Sequence, residues 1–203
     1  MAISFPLSMP TSTNAHSSIQ WIQRNIVGLS SSPFTAQQQV QDWGGDFWEL
    51  DVSFDPMDRD DAFVWIAFLS KLRGANGTFL YGDELTRTKR GNAAATGQVN
   101  GASQTGNELV TDDWNFNVTD LFREGDKIQI DNSLYMVLND VNSDGGGNAT
   151  LDIWPSLRGH ADNSVITHTD AQGRFRLVPG TDTVERVGRN QLWLVSFRAV
   201  EAL

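Results

Sequence analysis

No cysteine occurs among the 203 residues, which excludes disulfide frameworks, thiolate nucleophiles and cysteine zinc sites. Basic charge is scarce too. Fifteen Lys and Arg stand against 25 Asp and Glu, a formal net charge of −10. Neutralising a phosphate backbone needs clustered Lys and Arg. The nearest approach, "RTKRG" at Arg87–Gly91, reads as a solvated loop, so direct nucleic-acid binding is not expected. No apolar run approaches the roughly 20 residues that cross a bilayer. The opening "MAISFPLSMPTSTNAHSS" lacks the basic and apolar regions of a secretory signal. The expectation is a chain made in a cytoplasm, with no membrane partner.

Signatures of chemistry are equally thin. "DVNSDG" (Asp140–Gly145) opens like a calcium loop, but Leu151 stands where a bidentate Glu is required, so it reads as a β-turn. "GASQTGNE" (Gly101–Glu108) has the glycine spacing of a phosphate loop, with Asn107 and Glu108 in place of Lys and Ser/Thr. His16, His160 and His168 match no common metal spacing. No nucleophile elbow is present. The expectation is a protein without cofactor, metal or catalytic residues.

What the chain does hold is apolar material: 39% hydrophobic residues and seven tryptophans, enough for a substantial core. Its densest run reads as a helix over Asp58–Arg73. Asp58 is placed as N-cap, Asp60 and Asp61 suit the positive end of the dipole, Lys71 and Arg73 the negative end, and Gly74 the C′ position. Ala62, Trp65, Ile66, Leu69 and Leu72 form the stripe to be buried, widened by Phe63 and Phe68.

Nearly everything else reads as short strands. Ser18–Val27 alternates, and "AQQQVQDWGGDFWELDVSFDPM" reads as two strands joined by a hairpin turn at Gly44-Gly45. "GTFLYGD" (Gly77–Asp83) returns to strand. The glycine-punctuated, small and polar stretch Thr86–Gly106 reads as an excursion out of the core. Five short strands follow, at Gly125–Ile130, Leu134–Val141, Asn148–Trp154, Ser164–Thr169 and Gly173–Val178, a spacing that fits a small barrel or sandwich. The terminal "NQLWLVSFRAVEAL" alternates over Trp193, Val195, Phe197 and Ala199, apolar enough to rejoin the first core.

The architecture expected is mainly β: a discontinuous β-sandwich core, residues 1–89 plus 181–203, carrying one helix. A β-rich module is inserted at residues 90–180. Trp65, Ile66, Leu69, Leu72, Trp193 and Phe197 are the expected helix-and-core set. Trp114 and Trp154 lie in polar, turn-rich sequence. They admit two readings: ordinary packing, or an exposed surface for a sugar or a protein.

The order of a half-buried strand, "A…WI.FL..L.G..G.F", a "TFL.GD"-like strand and a closing "SF.A" resembles the distal tail and minor tail proteins of long-tailed bacteriophages and prophages. The matching positions are Ala62, Trp65, Ile66, Phe68, Leu69, Leu72, Gly74, Gly77, Phe79, Leu80, Ser196, Phe197 and Ala199. The resemblance implies a virion protein without catalytic residues. It implies a subunit of a cyclic ring, usually a hexamer, between the tail tube protein and the hub or tail fibres. The alternative expectation is a carbohydrate-binding module within a tail or surface assembly, using Trp114 or Trp154.

Overall fold

A computed structural model describes residues 3–10, 16–187 and 192–203, with side chains from Ser18 onward in the second span. Part of the opening segment, and Asn190-Gln191 at the start of the terminal strand reading, lie outside the described residues. In chain order the elements are β1 (Leu7–Ser8), β2 (His16–Arg24), β3 (Val27–Ser31), β4 (Gln38–Asp42), β5 (Phe47–Phe54), α1 (Arg59–Leu72), β6 (Phe79–Tyr81), β7 (Gln98–Val99) and β8 (Glu108–Asp112). Then come β9 (Lys127–Ile130), β10 (Ser133–Val137), β11 (Ala149–Trp154), β12 (Ile166–Thr167), β13 (Gly173–Leu177), β14 (Thr183–Val187) and β15 (Leu192–Glu201). The described residues are mainly β with one α-helix, as expected. It divides into two compact units: Met1–Ile22, Trp48–Gly82 and Gln172–Leu203 form the first, Gln23–Phe47 and Asp83–Ala171 the second.

In the first unit, seven described strands form one sheet in the order β1-β6-β13-β15-β5-β2, with β14 added to β15. The helix covers it. Asp58 caps α1 by accepting the Asp61 N–H at 3.0 Å, and Ala62, Trp65, Phe68, Leu69 and Leu72 are buried. Phe54 stacks obliquely on Trp65 with centroids 4.2 Å apart, and Phe197 of β15 lies 6.3 Å from Phe54. The helix stripe and the terminal strand therefore share one core. Three details differ from expectation. Ile66 and Trp193 are only half-buried. Phe63 is 45% exposed, meeting Trp193 edge-on at 5.9 Å. The left-handed turn that ends the helix falls on Arg73 as well as Gly74, with φ of 52° and 66°.

The second unit holds a six-stranded sheet among the described residues, in the order β12-β9-β10-β11-β8-β7. It is nearly closed into a barrel. A bridge joins Gln98 to Val165, and backbone bonds run from Val99 N to Ser164 O (2.9 Å) and from Ile166 N to Gly97 O (2.9 Å). Curling the sheet on itself lets each inward residue reach one shared core. Val99, Leu109, Ile128, Tyr135, Leu151 and Ile153 fill it.

Three sequence expectations are corrected here. Gly173–Leu177 was assigned to the inserted module but pairs with β6 and β15 in the first unit; its alternation suits either sheet, and only pairing decides. Thr86–Gly106 is not an excursion. Ala93 and Val99 are buried, and the buried carboxylate of Asp126 holds the segment by accepting from Arg90 N (2.7 Å) and Gly91 N (3.0 Å). The hairpin turn is not at Gly44-Gly45. The strands that pair are β3 and β4, turning at Ser32–Gln37, and β5 joins the other sheet.

Candidate interaction surface

The β3–β4 hairpin is an arm. Every residue from Gln23 to Gly44 is exposed except Ser32, which is half-buried. Its two strands pair in register, with Leu29 opposite Val40 and Val27 opposite Asp42, and form a two-stranded sheet of their own. The tip is tied locally: Ser32 N donates to Gln37 O (2.9 Å), and Ser32 Oγ accepts from Phe34 N (3.3 Å) and Thr35 N (3.4 Å).

One face of the arm is apolar. Side chains alternate across a strand, so Val27 and Leu29 share a face with Val40, at 44%, 64% and 61% exposure. Phe34 projects from the tip almost fully exposed, and Trp43 covers the Gly28 side near the base. From Asn25 to Gln41 the chain carries no charge at all. An isolated hairpin is marginal in water, and exposed apolar side chains gathered on one mark a candidate contact surface. The two outer strand edges also leave backbone groups open to a further strand.

The base of the arm is closely fitted. Trp43 N donates to Ile26 O at 3.2 Å, joining the two legs. A Cβ added at Gly45 would lie 2.8 Å from Ile26 Cδ1, so the legs come this close only because that position is glycine. Gly44 turns the chain at φ 62°, its N–H donating to Asp42 Oδ1 at 2.9 Å. These glycines end the arm; they do not form its turn.

The first unit carries an exposed edge strand, β14. Every residue of β14 is exposed, and among the described residues it pairs with β15. It differs from the arm in composition, since Glu185 and Arg186 sit at its centre.

Neither tryptophan proposed for a surface provides one. Trp114 is 2% exposed; its indole N–H donates to Thr111 Oγ1 at 2.7 Å, and Phe122 meets it edge-on at 5.3 Å. A Cβ added at Gly97 would lie 2.2 Å from its ring, so the chain crosses the indole face directly. Trp154 is 9% exposed and donates to Asn25 Oδ1 at 3.0 Å. A stacking platform needs an open ring face, and both rings are spent on packing.

The remaining polar groups serve the barrel. Asp144 binds Gly146 N and Asn148 N at 2.8 Å each within its turn, and the Asn148 side chain, then these N–H groups, hold its carboxyl below the usual range. Asp140 and Asn142 accept from Glu124 N and Asp120 N, so the calcium-like sequence is a set of turn ties. Tyr135 Oη, His160 Nε2, His160 Nδ1 and Asp131 Oδ2 form a chain with steps of 2.7 and 2.9 Å. The Tyr135 end is wholly buried and the Asp131 end is exposed. His168 sits elsewhere, 3.0 Å from Ala95 O, with burial pushing its pKa down. Burial likewise pushes the Lys127 ammonium down to about 8, against the opposing charge of Asp83; it donates to Thr86 Oγ1 at 2.9 Å.

Among the described residues no cluster of His, Asp or Glu is arranged to hold a metal, and no helix is long and apolar enough to cross a membrane. Sequence reading misses the arm because it pairs the second leg with Phe47–Phe54 through Gly44-Gly45 and leaves the first leg in a strand ending at Val27. The usable signal was the uncharged run Asn25–Gln41 in a chain that is 20% charged. No protein-family model matches the chain, and no curated protein matches it.

Proposed function

We propose that this is a structural, non-enzymatic virion protein, a subunit of a closed ring at the distal end of a phage tail. It would link the tail tube to the hub or tail fibres, and be made in the host cytoplasm before assembly. The observation that carries the reading is the arm: apolar side chains exposed on a hairpin that has no core of its own. Two copies each carrying −10 repel at long range, so a contact between them is best made where neither carries charge. The arm, free of charge from Asn25 to Gln41, fits a second copy of this chain better than a basic partner, which would seek the acidic surface. Cyclic closure then satisfies exposed strand edges without leaving a free one. The helix-and-strand pattern that resembles distal tail proteins supports the same reading.

The experiment is light scattering with negative-stain imaging, with and without the tail tube protein. Rings, or a multimer that forms on adding that protein, are expected. Leu29→Asp combined with Val40→Asp abolishes them while leaving a folded monomer. Monomers alone under both conditions overturn the proposal. The carbohydrate-binding alternative is not retained, because it rested on Trp114 or Trp154 being open.

A further inference from the structure

The arm is gripped at its base by one short loop of the same unit. Trp154–Arg158 leaves the end of β11, and three of its side chains reach the points where the arm begins and ends. The Trp154 indole N–H donates to Asn25 Oδ1 at 3.0 Å, just before β3. Ser156 Oγ donates to Asp46 Oδ2 at 3.1 Å, just after the glycine pair. The Arg158 guanidinium donates to the Asp46 carbonyl. Asp46 itself is buried, 8% exposed, although it borders a run in which nearly every residue is open to solvent.

We propose that Trp154, Ser156 and Arg158 are positioning residues that fix the direction in which the arm leaves the barrel. A two-stranded hairpin with nothing beneath it samples many orientations about its base. Tying both legs to one loop removes that freedom when the unit folds. A neighbouring copy then meets an arm already oriented, and the ordering cost is not charged against association. On this account Trp154 acts without touching the partner; it works through Asn25. The glycine at position 45 leaves room for the Ile26 side chain between the two legs. The consequence for ring formation rests on the reading proposed above. The consequence for the arm's own order does not.

The test uses the full chain with Trp154→Phe, Asn25→Ala, their combination, Arg158→Ala and Arg158→Lys. Trp154→Phe keeps an aromatic ring at this position and removes the N–H donor along with part of the indole's packing, so Asn25→Ala, which breaks the same bond from the other side, is its control. Two readouts are taken: amide exchange across Val27–Asp42 in the monomer, and the concentration at which the protein assembles. Arm exchange is expected to rise about tenfold in Trp154→Phe and in Arg158→Ala, the loss of one or two hydrogen bonds. Exchange at Ile128, Ile130 and Tyr135 stays at the wild-type rate. The Trp154→Phe and Asn25→Ala effects are not additive, because they break one bond, and Arg158→Lys recovers part of the effect by restoring a donor. The assembly concentration rises by a similar factor.

Arm exchange unchanged in all variants overturns the inference, whether or not the protein assembles. Faster arm exchange with an unchanged assembly concentration removes the link to association and leaves the ring reading standing. A wild type that never assembles removes the ring reading, and the exchange data still decide whether the loop holds the arm. Should Trp154→Phe unfold the barrel, Asn25→Ala carries the test alone, since Asn25 lies in exposed chain.

Discussion

Two antiparallel strand pairs in the second unit have nearly the same length and opposite surroundings. In β9–β10, Ser133 pairs with Ile130 and Met136 with Lys127, and Ile128, Ile130, Leu134, Tyr135 and Val137 are all fully buried. In β3–β4, the ladder is as regular and every residue is exposed. Each backbone hydrogen bond exchanges one with water and contributes only about 1 kcal/mol net, so a ladder alone does not hold a hairpin in place. Burial does. The barrel hairpin finds that burial in its own unit; the arm has only its tied base and tip. The second unit therefore contains one hairpin held by burial and one held only at its base and tip.

The comparison can be broken at several points. The largest expected effect is Ile128→Ala, which should destabilise the barrel by about 2–5 kcal/mol through lost burial and a cavity, measured by urea denaturation. A loss under about 1 kcal/mol would show that the barrel core is not packed as described. Gly97→Ala follows, at about 1–3 kcal/mol, because its methyl must displace the Trp114 ring; Gly101→Ala, where nothing lies within 4 Å but φ is 98°, gives a control for backbone strain without collision.

Lys127 opens β9 with a buried charge, so pH sharpens the contrast next. Its folded pKa of about 8 lies below the unfolded value of 10.5. Between those values the unfolded chain holds the proton that the folded chain has released, so this group makes stability rise with pH across that window; below pH 8 its full cost remains. Lys127→Met should remove that rise and stabilise the protein at pH 7 by roughly 1–3 kcal/mol. Stability curves with the same slope in both proteins would contradict this.

Asp58→Ala should cost about 1 kcal/mol, the typical loss of a helix cap, read as a shift in thermal midpoint. The smallest effect belongs to the arm. Leu29→Ala should change monomer stability by less than about 0.5 kcal/mol, and a cost matching that of Ile128→Ala would mean that the arm is buried in solution.

The legibility of the chain follows the same division. The helix was readable in detail because its signals are local: the Asp58 cap, the spacing of Trp65, Leu69 and Leu72, and the acidic start and basic end. The alternation of β5 and β15 was readable for the same reason. Where the reading failed, the deciding contact lay far away in sequence. Gly44-Gly45 has the composition of a turn, yet a turn depends on which strands pair, and β5 pairs with β15, more than a hundred residues later. Thr86–Gly106 looks like loop until Asp126 and the Trp114 face supply its partners. Trp154 sits in the same polar surroundings as any exposed tryptophan; its acceptor is Asn25, in another part of the chain.

The sequence by itself determined the element types, the mainly β class with a single capped helix, and the absence of thiol chemistry. It could do so because propensity, alternation and capping act within a few residues. Tertiary structure alone decided which strands share a sheet, which aromatic rings are spent on a core, and which hairpin is left in solvent. Backbone hydrogen bonds are blind to side-chain identity, so pairing is chosen by where apolar faces can be buried together, and that is a property of the whole fold.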